Sequence, residues 1–328
     1  MSGPLRGGRR RRRLVPALLV LFVLALPVAA AAGAYLWVTA DDGPGAQPEV
    51  VDTPSVVPEE GGSLEARSPA PVRLTGGNAF DPRFRKAPRA ALVFDVDDGR
   101  VLIRREPERV LPMASLTKIM TALAVTSETR PDEKVRITPA ALKYQGSGVG
   151  VLPKGKRVPL EALMNGLMLV SGNDAAIALA DHVSGSERQF VRLMNEKARL
   201  WGLRCTRFAS SHGLEKGNRS CAADLAVMTR LAMRNPRITG IVRRKEASFR
   251  FPIKGGKLYL YGHNPLIRAG YRGAIGLKTG YTDEAGRCFV GVARRDGRTL
   301  GVVLLHSPNP LKHATALLDQ GFRAEGAR

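Results

Sequence analysis

At 328 residues the chain has room for one large or two smaller domains, and a 44% hydrophobic content belongs to a globular protein, not a disordered or fibrous one. A formal net charge of +22 calls for an anionic partner: nucleic acid, anionic lipid or an acidic cell-wall polymer. With aromatics at only 5% and no DNA- or RNA-binding motif, base-stacking platforms and nucleic acid are set aside. The first segment points the same way. Five consecutive arginines at residues 9–13 precede an uncharged apolar run at residues 14–38. A positive flank before an apolar stretch is an export signal whose arginines stay in the cytoplasm. Residues 1–40 are therefore read as an N-terminal membrane anchor or a signal segment. The length of the run favours a retained anchor, although Ala29-Ala30-Ala31-Ala32-Gly33 offers small residues for a signal peptidase. Either way the remainder is expected outside the cytoplasm, in a bacterial cell envelope. Residues 41–79, rich in Pro, Gly, Ser, Glu and Asp, read as a disordered linker, and residues 80–328 as one folded domain.

Two strand-like runs open the domain, at residues 89–96 and 100–104, and Asp97-Asp98-Gly99 between them has hairpin chemistry. A helix is expected from Ser115. Further helices are expected at residues 160–169, 175–182, 186–200 and 224–233, with loop-like chain between residues 203 and 224. The last section reads as strands at residues 247–253, 257–261, 275–281, 287–294 and 298–306, closed by a helix at residues 310–322. Helices in the middle and strands at both ends predict an α/β (α+β) domain with one sheet built from both termini and a helical section inserted.

Chemistry is concentrated in three short motifs. Ser115 and Lys118 stand at S-x-x-K spacing, which puts both on one face of a helix. A serine becomes a nucleophile when a base takes its proton, and a lysine kept neutral by apolar surroundings can be that base. Alone, the pair is equally the mark of a helix start capped by serine. Ser171-Gly172-Asn173 supplies S-x-N, and Lys278-Thr279-Gly280 supplies K-T-G on a strand-like run. Each occurs by chance; all three in this order do not.

The set resembles that of the penicillin-recognising serine enzymes. Within them, the stretches around Ala114 to Ala122, Ser171 to Ala176, Ala223 to Ala226 and Gly276 to Thr282 are similar to the serine-type D-alanyl-D-alanine carboxypeptidases, the low-molecular-mass penicillin-binding proteins. The resemblance implies a β-lactamase/penicillin-binding-protein-like transpeptidase fold: an antiparallel sheet flanked by helices plus an all-helical subdomain. It implies Ser115 as nucleophile, Lys118 as base, Ser171 as proton relay to the leaving amine, and Asn173 as the amide holding Lys118 and a substrate carbonyl. Lys278 and Thr279 would bind the substrate carboxylate, Gly280 would let the substrate lie along the strand, and the backbone N–H groups of Ser115 and Tyr281 would form the oxyanion hole. The partners implied are a peptidoglycan stem peptide ending in D-Ala-D-Ala and β-lactams as covalent inhibitors, with the membrane reached through the N-terminal segment. The family's second, C-terminal β-domain and its amphipathic tail have no counterpart after the last helix, which leaves that N-terminal run as the expected attachment.

No cofactor and no metal are expected. The five histidines, His182, His212, His263, His306 and His313, lack metal-ligand spacing. Glu161-Ala162-Leu163-Met164-Asn165 looks like the stretch that carries the deacylating glutamate of class A β-lactamases, but it precedes the S-x-N motif instead of following it. It is therefore read as helix. Ser147, between two glycines, fits the cleft rim and a plain loop serine equally well. Cys205 and Cys221 flank the loop-rich section of an exported chain, so a bridge between them is expected, with Cys288 reduced and buried; three buried free thiols are the alternative. The activity expected is removal of the terminal D-Ala. D,D-endopeptidase action, weak β-lactamase action, or a non-hydrolysing wall-binding or β-lactam-sensing role are the alternatives.

Overall fold

The computed structural model describes residues 71–326, so the anchor or signal segment and residues 41–70 of the linker lie outside the described residues. Among the described residues no helix is long and apolar enough to cross a membrane.

β1 (Ala90–Asp95) is buried along its whole length and turns through Asp97-Asp98-Gly99 into β2 (Val101–Arg105). Asp95 Oδ1 accepts from Asp97 N at 2.8 Å, and Gly99 adopts φ +78°, a left-handed conformation open to glycine without strain. β3 (Leu111–Pro112) leads into a 3-10 turn, Ala114–Leu116, and then α1 (Thr117–Glu128). The helical section continues through β4 (Lys134–Arg136), α2 (Pro139–Leu142), β5 (Arg157–Pro159), α3 (Leu160–Leu169), α4 (Asn173–Ser184) and α5 (Glu187–Leu200). After a long loop come β6 (Arg219–Ser220), α6 (Ala222–Arg234) and α7 (Pro236–Val242). The chain ends with β7 (Glu246–Arg250), β8 (Lys257–Tyr261), α8 (Pro265–Arg268), β9 (Ala274–Thr282), β10 (Gly286–Arg295), β11 (Arg298–Leu305) and α9 (Pro310–Gly326).

Five strands form one antiparallel sheet in the order β2-β1-β11-β10-β9. Alternation along the strands serves both faces, because the sheet lies between helical layers. Leu92, Phe94, Val290 and Val303 face the core shared with α1 and α6, while Val93, Phe289, Val302 and Leu304 face α9 through Leu317 and Leu318. Fully burying one such side chain stabilises by about 1.5–3 kcal/mol. β9 is an edge strand, with one side free to meet a ligand.

Two expectations are corrected. The hairpin of β7 and β8 is a separate two-stranded sheet, not part of the central one. The chain is also ordered before Phe80: Val72 is buried, Arg73 N donates to Gly99 O at 2.9 Å, and Ala79 N donates to Leu102 O at 2.8 Å. β2 is the other edge strand, and residues 72–79 satisfy backbone groups it would otherwise leave unpaired. Cys205 and Cys221 are bonded with Cα atoms 5.5 Å apart, and Cys288 is a buried free thiol, as expected.

Candidate active site

Ser115 sits in the 3-10 turn, not in α1 itself, and Ala114 before it has φ +49°. Two glycines permit this strained turn. A Cβ on Gly213 would lie 2.1 Å from Ala114 O, and one on Gly280 would lie 3.0 Å from Ser115 N. The expectation for Gly280 was room for substrate along the strand. The structure adds a nearer reason: without a side chain there, β9 closes onto the nucleophile turn.

Lys118 lies one turn on and is fully buried. Its Nζ is 3.1 Å from Ser115 Oγ, 2.7 Å from Asn173 Oδ1 and 2.6 Å from the backbone oxygen of His212. Asn173 Nδ2 donates to Gln145 O at 2.6 Å, which turns its oxygen toward the lysine. Burial first, and then the charge of Lys278, hold the Lys118 pKa well below the ordinary lysine value. A neutral amine has two N–H groups and one lone pair. Asn173 Oδ1 and His212 O can only accept, so they take both N–H groups and leave the lone pair for the Ser115 hydroxyl. That is the geometry of a base poised on its nucleophile.

The loop carrying His212 is itself anchored. Thr121 donates to Ser211 O, and Glu187 Oε1 accepts from Ser211 N at 2.9 Å and Ser211 Oγ at 2.6 Å. Burial, outweighing the opposing pull of Glu187, pushes the His212 imidazole down to about 4, so it adds no charge beside the base at neutral pH. Sequence patterning marked this stretch only as loop, because a backbone carbonyl leaves no signature in residue type.

Ser171, with φ +63°, precedes α4 and lines a cleft of about 610 Å³ together with Ser115, Ser147, Thr279 and Gly280. Ser147 is thus a cleft residue, held there by Asn173 N donating to Ser147 O at 2.8 Å. Asp174 accepts from Val149 N and Gly150 N at 2.8 and 2.9 Å and pins the same loop.

Across the cleft, Thr279 stands opposite Phe289 and Tyr281 opposite Arg287 in the β9–β10 register. Alternate residues share a face, so Thr279, Tyr281 and Arg287 project to one side, and Lys278 and Gly280 to the other. Lys278 is buried, donates to Thr279 O at 3.0 Å, and has its pKa lowered by burial to about 7. It shares the face of Gly280, which is turned to the Ser115 turn, and its charge reaches Lys118; Arg287 also lines the cleft. Arg287 is exposed and makes no hydrogen bond or ion pair with another described side chain. The exposed His263 completes that wall, its pKa lowered by desolvation and by Lys278. Neither residue belongs to a motif: the β9–β10 register places Arg287, and the bond from His263 N to Leu169 O holds the turn after β8. Glu161 is tied to Arg237 on α7 at 2.7 Å and does not line the cleft, in keeping with its reading as helix.

The D-alanyl-D-alanine carboxypeptidase family, peptidase S11, matches residues 80–309. The chain belongs to this family. A D-alanyl-D-alanine carboxypeptidase of Mycobacterium tuberculosis is 36% identical over 240 residues, 70% of this chain and 81% of that protein. The carboxypeptidase DacF of Bacillus subtilis is 34% identical over 243 residues, but this chain spans only 62% of its length. The crystal structure of a D-alanyl-D-alanine carboxypeptidase from Mycobacterium tuberculosis superposes with a TM-score of 0.69 at 34% identity, covering 74% of this chain and 94% of that one. Membership as a peptidase S11 chain agrees with the fold, with Ser115 and Lys118 side by side, and with an open cleft along β9. Among the described residues, the one carboxylate–cysteine cluster tight enough to suggest a metal, Cys205, Cys221 and Asp224, has both sulfurs in the disulfide.

Proposed function

We propose that this chain is an exported D-alanyl-D-alanine carboxypeptidase that shortens peptidoglycan stem peptides through a serine acyl-enzyme. The observation that carries the reading is the position of Lys118 Nζ, 3.1 Å from Ser115 Oγ and held by two obligate acceptors. Ser115 Oγ attacks the carbonyl carbon of the penultimate D-Ala while its proton passes to Lys118 Nζ. The N–H groups of Ser115 and Tyr281 hold the oxyanion. Collapse breaks the peptide bond, the proton held on Lys118 passes through Ser171 to the leaving amine, and free D-Ala departs, leaving Lys118 neutral again. Water then attacks the ester, gives its proton to Lys118, and releases the shortened peptide and Ser115. Lys278 and the Thr279 hydroxyl receive the terminal carboxylate, and the Arg287 guanidinium on the cleft wall is able to add two parallel hydrogen bonds. The charge of Lys278 also helps keep Lys118 neutral. Residues 1–40 direct the chain out of the cytoplasm and, retained, anchor it to the membrane.

A β-lactam offers the same carboxylate and acylates the same serine, but its leaving group stays tethered and obstructs water. With Glu161 engaged by Arg237, and no Asp or Glu lining the cleft among the described residues, no acid there activates water on the ester and the penicilloyl-enzyme persists. A second reading, cleavage of D-Ala-containing cross-links, is supported by a D-alanyl-D-alanine endopeptidase of Pseudomonas aeruginosa that is 32% identical over 204 residues. Diacetylated tripeptide ending in D-Ala-D-Ala, a cross-linked dimer and a penicillin, assayed side by side, separate the readings. Free D-Ala with slow penicillin release is expected; fast penicillin hydrolysis without D-Ala would make the protein a β-lactamase.

A further inference from the structure

The hairpin of β7 and β8 turns one face inward and one outward. Leu258 and Leu260 are buried and pack, with the partly buried Ala247 and Phe249, over α3. The outward face carries Tyr259 and Tyr261, 58% and 61% exposed, with Ser248 and Glu246 opposite them. At the strand rise the two rings stand about 7 Å apart on one side. Residues 243–257 also hold six lysines and arginines against one acid, Glu246. Of these cations, Arg243, Lys245, Arg250, Lys254 and Lys257 make no ion pair with a described residue. Folding needs only polar side chains on that face. Adjacent exposed aromatics within a field of unpaired cations are a binding surface for a polymer that has ring faces and negative charge.

The face is fixed to the active site. Two residues beyond Tyr261, His263 lines the cleft of Ser115. Gly262 N donates to Lys245 O at 2.7 Å, and His263 N donates to Leu169 O at 3.1 Å, close before Ser171. We infer that the outward face of this hairpin binds the peptidoglycan glycan strand whose stem peptide enters the cleft. Tyr259 and Tyr261 lie against the apolar faces of its sugar rings, and Arg250 and Lys257 face carboxylates of neighbouring stem peptides. The inference rests on the carboxypeptidase reading for its choice of polymer. A lipid surface fits less well: the hairpin exposes no leucine, phenylalanine or tryptophan to enter acyl chains, and tyrosine is its only exposed large hydrophobic residue.

The experiment uses the full chain and two double variants, Tyr259→Ser with Tyr261→Ser and Arg250→Ser with Lys257→Ser. Each is assayed for co-sedimentation with phosphate-free peptidoglycan, for D-Ala release from that polymer, and for turnover of the soluble tripeptide. Tripeptide turnover should stay within about twofold of the parent, which also reports an intact fold. Pelleting and release from polymer should fall by about tenfold or more, and added salt should weaken the parent's pelleting. Equal pelleting and equal polymer turnover in both variants would overturn the inference. So would tyrosine-dependent pelleting with anionic vesicles but none with peptidoglycan. Tyrosine-dependent pelleting by a parent that turns over no tripeptide would keep the glycan surface and reject the catalytic reading instead.

Discussion

Lys118 is the residue on which the chemistry turns, and its environment makes its requirements specific. Burial removes the ammonium form, and Asn173 and His212 fix the direction of the lone pair. Lys118→Arg keeps a charge that cannot be given up and has no lone pair to offer. It should lower penicillin acylation by about a thousandfold or more, read as the rate of fluorescent-penicillin labelling. Labelling near the parent rate would remove Lys118 as the base. Arg287 is a second residue with a sharp expectation, since it is exposed, lines the cleft and has no ion pair among the described residues. Arg287→Ala should lower kcat/KM for the tripeptide by about 10–100-fold, mostly through KM, because a charge-assisted hydrogen bond contributes about 1.5–3 kcal/mol. Turnover of the same peptide as its C-terminal amide should not change. A variant that loses both substrates equally would show Arg287 to be structural.

At the scale of elements, the nucleophile turn depends on pieces far apart in sequence. Gly213 lets the loop after α5 pass under Ala114, at φ +89° and with no room for a Cβ. Gly213→Ala should destabilise the domain by about 1–3 kcal/mol and slow acylation, because only movement of the turn relieves the contact. Denaturant midpoints and labelling rates would test this together, and a variant unchanged in both would contradict the account of the turn. Periodicity was a reliable guide where an element buries one continuous apolar face: α3 runs over residues 160–169 and β8 over residues 257–261, as patterning predicts. It failed where tertiary context decides. α7, only seven residues long, is set by Pro236 and by Asn235 accepting from Arg237 N and Ile238 N, not by a stripe. The β7–β8 pattern names two strands but not which sheet they join, since pairing is a long-range choice. Residues 72–79 look like linker by composition, and only the unpaired edge of β2 explains their order. The motif residues were legible because catalysis restricts residue type. His212, Arg287 and His263 were not, because they act through a backbone oxygen, through strand register or from a turn that long-range packing positions.

Across the whole molecule, the sheet joins both ends of the described chain around the helical section, so the two halves of the site are held by one core. Glu325 near the end of α9 accepts from Arg100 beside β2 and from Arg298 on β11, which fastens the last helix over that sheet. The buried cations leave a signature in overall stability. Lys278 has a pKa near 7 when folded, against 10.5 for the ordinary side chain. Below about pH 7 it is protonated in both states; between the two values only the unfolded chain carries the proton, so raising the pH favours the folded state. The contribution of Lys278 should therefore rise between pH 7 and 9 by up to about 1.4 kcal/mol per pH unit. Lys278→Met should lose that part of the slope. Parallel urea midpoints at pH 7 and pH 9 measure it, and identical slopes for the two proteins would mean that Lys278 is not a buried, depressed cation.

The acyl-enzyme is the central claim, and peptide mapping by mass spectrometry reaches it most directly. The parent chain is mixed with the D-Ala-D-Ala tripeptide or a penicillin, quenched in acid and digested. Free D-Ala should appear with the peptide substrate, and the penicillin should add its full mass to the one fragment containing Ser115. The Ser115→Ala chain, folded by the same spectroscopic criteria, should do neither. An adduct on any other residue, or D-Ala released at the parent rate by Ser115→Ala, would contradict the mechanism.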